Sequence, residues 1–190
     1  SRSSHTRIYT AHGYLICSSK ADCHGQYGLE ICFSLSFKLC GHSTTVESIT
    51  LIHSSPRILL LSVQYGPLLV YFLNFHAPQC DAKACWASTS KMSNKTRTIW
   101  WKTLLKLCKS LNPQFPLFVF CDSNATVGSI TSTAIGSLSP ELDNANSVQF
   151  ASFLNALNLF LPSTFSHYHS GPSRTYTTSS SNRRIDYIAI

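Results

Sequence analysis

The chain has 190 residues, 44% of them hydrophobic, with eleven Phe, eight Tyr and three Trp; this excludes a disordered or low-complexity protein and predicts one domain, 1–190, around a packed core. Lys and Arg number fifteen against eight Asp and Glu, a net charge of +7. That balance suits a partner rich in phosphate, although a generically basic domain carries the same charge.

In chain order, residues 13–18, 29–37, 46–52, 58–63 and 68–75 are short apolar or alternating runs separated by Gly, Ser, His and Asp clusters, which predicts strands in antiparallel meanders. The most apolar stretch, 57–75, is broken by Gln64-Tyr65-Gly66-Pro67, a turn signal that excludes a membrane helix there. The period then changes. Trp100, Leu104, Leu107, Cys108 and Leu111 recur on one helical face with Lys102, Lys106 and Lys109 turned away, so an amphipathic helix is expected to end near Asn112-Pro113. Residues 117–121 are apolar throughout and too short for a helix; they predict an interior strand that delivers Asp122 and Asn124 to its C-terminal edge. A Gly, Ser and Thr-rich loop follows, to about Asp143. Asn144 or Asn146 can cap a second helix, with Phe150, Phe153, Leu154 and Leu157 as its buried stripe, before two last strands at 174–178 and 185–190. This order predicts an α/β fold, a four-layer sandwich of two mixed, mostly antiparallel sheets with helices outside.

None of the eight cysteines forms a Cys-x-x-Cys pair, and Cys80 with Cys85 is the nearest approach to one. Others, such as Cys32 and Cys121, stand in apolar strand-like runs where free cysteine behaves as a small hydrophobe. Reduced thiols and an intracellular location are expected, with no signal peptide and no membrane partner. Met92 is the only methionine and Ile190 falls in a predicted strand, so the sequence reads as an internal piece of a longer protein.

Two of the eight acidic residues stand at or within apolar runs, Asp122 in Leu117-Phe-Val-Phe-Cys-Asp122 and Asp186 in Arg184-Ile-Asp-Tyr-Ile188. Burying a carboxylate is costly, so both are expected to serve a partner, a metal or a reaction. Asp122-Ser-Asn124 sets a carboxylate and a carboxamide two residues apart at a strand end, able to face one pocket; an Asx-turn is the plainer explanation of the same residues. Asn74-Phe-His-Ala-Pro78 ends another strand, with Asn74 and His76 on one face. Hydrolysis of a phosphodiester needs a base or orienter for water, donors to the charge growing at phosphorus and usually a divalent metal, and these residue types can meet the first two needs.

Asn74-Phe-His-Ala-Pro78, Asp122-Ser-Asn124 and Arg184-Ile-Asp-Tyr-Ile188, in this order, resemble the endonuclease/exonuclease/phosphatase superfamily, which shares the deoxyribonuclease fold. Text between them is similar to the endonuclease domains of LINE-type non-LTR retrotransposons: Gly13-Tyr14 with Gly25-Gln-Tyr-Gly28, Trp100-Trp101, Asn144-Ala-Asn146, Pro162-Ser-Thr-Phe165 and Thr175-Tyr176. The resemblance implies that Asp122 positions or deprotonates the attacking water, that Asn124 orients Asp122 and stabilises the transition state, and that His76 contacts the scissile phosphate. It further implies that Asp186 orients a catalytic histidine. Asn74, Asn146, Thr175 and Arg184 are implied contacts to phosphate or the DNA backbone, and Asp122 a ligand for Mg²⁺ or Mn²⁺. DNA is the implied partner of a monomeric, nuclear domain, with a reverse transcriptase domain downstream.

Two landmarks of the superfamily, a metal-binding Glu upstream of the glycine-rich strands and a final Ser-Asp-His, have no counterpart here. The 190 residues are therefore expected to be inactive by themselves, a truncated deoxyribonuclease-like domain incomplete at both ends. Alternatives are a phosphatase of the same fold acting on small phosphoesters, and a decayed copy that only binds nucleic acid.

Overall fold

The computed structural model describes residues 5–24, 28–79, 94–177 and 182–190; Gly25-Gln-Tyr27, the Cys80/Cys85 pair and Thr178 lie outside them. The described residues fall into two compact units, one built from residues up to His76 with Pro113–Phe120, the other from Ala77–Asn112 and Cys121–Ile190.

In the first unit β1 (Arg7–Ala11), β2 (Tyr14–Ser18) and β3 (Glu30–Ser34) form an antiparallel meander. The β1–β2 turn was not foreseen, although Gly13 takes the positive φ of 80° that a tight reversal requires. A two-residue-strand hairpin follows, β4 (Lys38–Leu39) with β5 (His42–Ser43). A second sheet is ordered β9-β8-β7-β6, from β6 (Ile49–Ser55), β7 (Ile58–Tyr65), β8 (Leu68–His76) and β9 (Leu117–Asp122), whose last two residues belong to the other unit. The β7–β8 turn is the predicted one. Gly66 stands at its first central position with φ 58°, as two-residue hairpin loops favour, and the loop fixes the register that sets Ile58 opposite Phe75.

Strand β7 is buried on both faces except at Gln64, which is why it reads as an apolar run from Ile58 to Val63 with Ser62 as its one polar residue. On one face Leu59, Leu61, Val63 and Tyr65 join Leu15, Cys17, Ile31 and Phe33 of the first sheet in one core, with Phe33 edge-on to Phe72 at 5.1 Å. The Tyr65 hydroxyl, buried with them, meets the Thr44 hydroxyl at 2.7 Å, so the polar atom is not stranded. Strand β6 runs three residues later than predicted and bulges between Leu51 and His53, leaving Leu51 and Ile52 exposed.

The second unit holds α1 (Asn94–Lys109), α2 (Ser147–Ala156), the short pair β10 (Tyr176–Thr177) and β11 (Asn182–Arg183), and β12 (Asp186–Ala189). The inward face of α1 is Trp101, Leu104 and Cys108, at 2%, 0% and 4% exposure. Trp101, not the predicted Trp100, is the anchor: its ring lies 5.9 Å from both Phe150 and Phe153 of α2. Phe150 in turn stacks obliquely on Tyr187 of β12 at 5.4 Å. Helix α2 buries Phe150, Phe153 and Leu154 as predicted, while Leu157 lies past its end. Strand β12 alternates exposed and buried residues, and Asp186 falls on the exposed side. The expected burial of Asp186 is thus incorrect: the apolar run around it is a half-buried strand, not an interior one.

Candidate active site

Strand β9 ends at Asp122, and the next two residues form an Asx-turn in which the Asn124 main-chain N–H donates to Asp122 Oδ1 at 3.0 Å. Asn124 adopts φ 48°, a left-handed conformation that Asn tolerates better than most residues. Its side chain points to the other end of the motif pair, where Asn124 Nδ2 donates to the Ala77 carbonyl at 2.8 Å and Ala77 N–H donates to the Asp122 carbonyl at 2.8 Å. The His-Ala-Pro and Asp-Ser-Asn segments are therefore joined through Ala77 by reciprocal bonds. Ser123 is wholly buried, and its N–H and hydroxyl both donate to the Ile185 carbonyl at 2.9 Å, so the turn is also tied to the start of β12.

The Asn144-Ala-Asn146 motif braces this turn from behind. Asn146 is 0% exposed; its Nδ2 donates to the carbonyl of Pro78 at 2.8 Å and, at 3.3 Å, to those of Ser123 and Asn124. Its Oδ1 accepts from the Trp101 indole at 3.3 Å. Asn144 Nδ2 donates to the Asn124 carbonyl at 3.0 Å, and Asn144 Oδ1 accepts the Asn146 N–H at 2.9 Å. Asn146 occupies the cap position of α2, yet its side chain makes no capping bond, because both ends of the carboxamide are engaged with the turn and Trp101. As a predicted phosphate contact Asn146 is placed inside the protein, in a structural role.

Arg184 is placed likewise. At 2% exposure its Nη1 donates to the Ser163 carbonyl at 2.8 Å and its Nη2 to those of Leu138 and Ser139 at 3.2 and 3.3 Å, with the guanidinium carbon 5.6 Å from the Tyr187 ring centre. The Arg184 N–H donates to Glu141 Oε1 at 2.8 Å. These bonds stitch the Gly, Ser and Thr-rich loop to the strand that carries Asp186. They turn the guanidinium away from any ligand in solution.

Thr175 and Asp186 lie together at the surface: the Thr175 hydroxyl accepts from the N–H groups of Ile185 and Asp186, both at 3.1 Å, leaving the Asp186 carboxylate exposed. Asp122 is half-buried. Burial pushes the neighbouring Cys121 thiol well above its ordinary value, and the negative charges of Asp122 and Asp186 add to the rise.

In the first unit, Asn74 and His76 are half-buried on one side of β8, as the period of two requires. Asn74 Nδ2 donates to the Glu30 carbonyl at 2.9 Å. His76 faces Arg57, whose N–H group at Nη1 donates to the His76 carbonyl at 3.3 Å, while the His76 N–H donates to the Arg57 carbonyl at 3.0 Å. Burial, and then the Arg57 charge, push His76 down to about 4, so its imidazole is neutral at neutral pH and acts as a hydrogen-bonding group without net charge. Arg57 was not foreseen, but counting outward from the two-residue Gly66-Pro67 loop sets it opposite His76. Trp101 and the Pro78 carbonyl were also missed, since no local pattern announces a main-chain acceptor.

Among the described residues no group of three or more His, Cys, Asp or Glu side chains is arranged to hold a metal ion. A divalent cation at Asp122 would therefore draw most of its oxygen ligands from substrate phosphate and water.

No family model and no curated protein matches the sequence. Solved structures do match in shape. The AP endonuclease LMAP from Leishmania major is similar at a TM-score of 0.64 and 10% identity, over 95% of this chain and 62% of that one. The endonuclease domain of TRAS1, a telomere-specific non-LTR retrotransposon, is similar at 0.56 and 13% identity, over 95% and 68%. An endonuclease/exonuclease/phosphatase family protein from Leptotrichia buccalis C-1013-b is similar at 0.51 and 13%, over 95% and 61%. The chain therefore has the endonuclease/exonuclease/phosphatase fold, the α/β architecture of nucleases and phosphodiesterases. It spans between 61% and 68% of the length of these structures.

Proposed function

We propose that this chain is part of a retrotransposon-type endonuclease that nicks DNA, with Asp122 as the residue that positions and deprotonates the attacking water. The observation that carries the proposal is the Asx-turn at the end of β9, where a half-buried carboxylate is fixed by Asn124 N–H and the whole turn is anchored by Ala77, Ile185 and Asn146. A carboxylate held in this way, with little freedom to reorient, is preorganised for one position of water.

In the proposed reaction the oxygen of water bonds to phosphorus, its proton passes to Asp122, and the bond from phosphorus to the 3′-oxygen breaks to leave a 3′-hydroxyl and a 5′-phosphate. The Asn124 carboxamide steadies the turn through Ala77, and neutral His76 is by itself a hydrogen-bonding group suited to phosphate. Asp186, exposed at the start of β12, orients an imidazole that returns a proton to the 3′-oxygen. Mg²⁺ or Mn²⁺ is proposed as an assay requirement, since magnesium often sits on one or two carboxylates together with substrate phosphates. A nuclear location, DNA as partner and a reverse transcriptase domain in the same protein belong to this proposal.

The test is nicking of supercoiled plasmid by the full open reading frame that contains these residues, in magnesium and with EDTA as control. Hydrolysis of duplex DNA and none of inositol phosphates supports the proposal; the reverse pattern replaces it with a small-molecule phosphatase.

A further inference from the structure

Helix α1 carries a face whose only charged residues are lysines. Lys95, Lys102, Lys106 and Lys109 are all exposed and, with the exposed Ile99 among them, fall within about 40° of one line at 100° per residue. The stripe is about 21 Å long at 1.5 Å per residue. The helix has no acidic residue, and among the described residues no carboxylate pairs with these four lysines. Lys106 and Lys109 in the last turn are favoured by the helix dipole, but Lys95 in the first turn is opposed by it, so helix formation alone does not account for the stripe. Lys102, Lys106 and Lys109, at spacings of three and four residues, also repel one another.

We propose that this lysine face docks the phosphate backbone of duplex DNA, supplementing the proposed catalytic turn; the identity of the partner rests on the function proposed above. Over about 21 Å one strand of a duplex presents roughly six phosphates, enough to engage every lysine of a straight, rigid stripe. An anionic membrane surface suits the face less well. The apolar side of α1, Trp101, Leu104 and Cys108, is already buried within the protein, so the helix has no free apolar face to insert between lipids.

The test is binding of a 20-base-pair duplex by the chain in an Asp122→Ala background, followed by fluorescence anisotropy between about 50 and 200 mM salt. Replacing Lys95, Lys102, Lys106 and Lys109 together by Gln is expected to weaken binding at least tenfold at low salt. The slope of log K against log salt should shrink by about 3 to 4, near 0.9 for each phosphate released. Lys20→Gln with Lys38→Gln, exposed lysines of the first unit, should leave the slope unchanged, and circular dichroism should show the same helix content in every variant. An unchanged slope in the four-lysine variant overturns the proposal. So does a preference for single strands, or for phosphatidylserine vesicles over duplex. If plasmid nicking fails while lysine-dependent duplex binding persists, the catalytic proposal falls and the docking surface stands.

Discussion

Asn146 donates from Nδ2 to the Pro78 carbonyl at 2.8 Å, which fastens the Ala77-Pro78 segment to the turn that carries Asp122. The same carboxamide accepts from Trp101, so one fully buried side chain joins α1, the Ala77-Pro78 segment and the Asx-turn. Asn146→Ala would take these bonds from buried carbonyls and from the Trp101 indole, at a cost of roughly 2–4 kcal/mol. Asn146→Asp should cost at least as much, because a carboxylate sets oxygen against the Pro78 and Ser123 carbonyls. Urea unfolding checks both; wild-type stability in either variant removes Asn146 from this role.

Arg184 separates a structural cation from a DNA contact. Its two terminal nitrogens reach carbonyls on different segments, Ser163 on one side and Leu138 with Ser139 on the other, which a single ammonium cannot span. Arg184→Lys is therefore expected to lower stability by roughly 1–3 kcal/mol in a urea titration. Were Arg184 a backbone contact, the same substitution would leave stability intact and weaken only DNA binding.

His76 gives a pH signature of defined sign. Its folded value, pushed down to about 4, lies below the ordinary 6.5, so the unfolded chain binds more protons between these limits. The contribution of His76 to stability is complete above about pH 6.5, is lost as pH falls toward about 4, and changes no further below that. Unfolding free energies measured from pH 4 to 7 should rise less steeply with pH in His76→Asn than in the wild type. Parallel curves would show that His76 titrates normally.

The sequence made the frame of the fold readable where pattern and punctuation agree. Gly66-Pro67 between two apolar runs defines β7 and β8 to within two residues, and the fully apolar 117–121 run is a strand ending at Asp122. Trp100 and Trp101 are adjacent and differ only by 100° around α1, so the sequence does not say which of them faces inward; tertiary packing against Phe150 and Phe153 selects Trp101. The candidate site was legible as a set of motifs but not as a division of labour. Asn146 and Arg184 carry the residue types of phosphate contacts, and nothing local reveals that their donors meet main-chain carbonyls far away in sequence. The burial of Asp186 was misjudged for the same reason, since apolar neighbours do not say which side of a strand a residue takes.

The most direct test of the central claim is the rate of plasmid nicking by Asp122→Ala in the full open reading frame. The account predicts that the wild type converts supercoiled plasmid to open circles in magnesium and that the variant, with unchanged folding, loses about 100-fold or more of that rate. Equal nicking by the two proteins would contradict it.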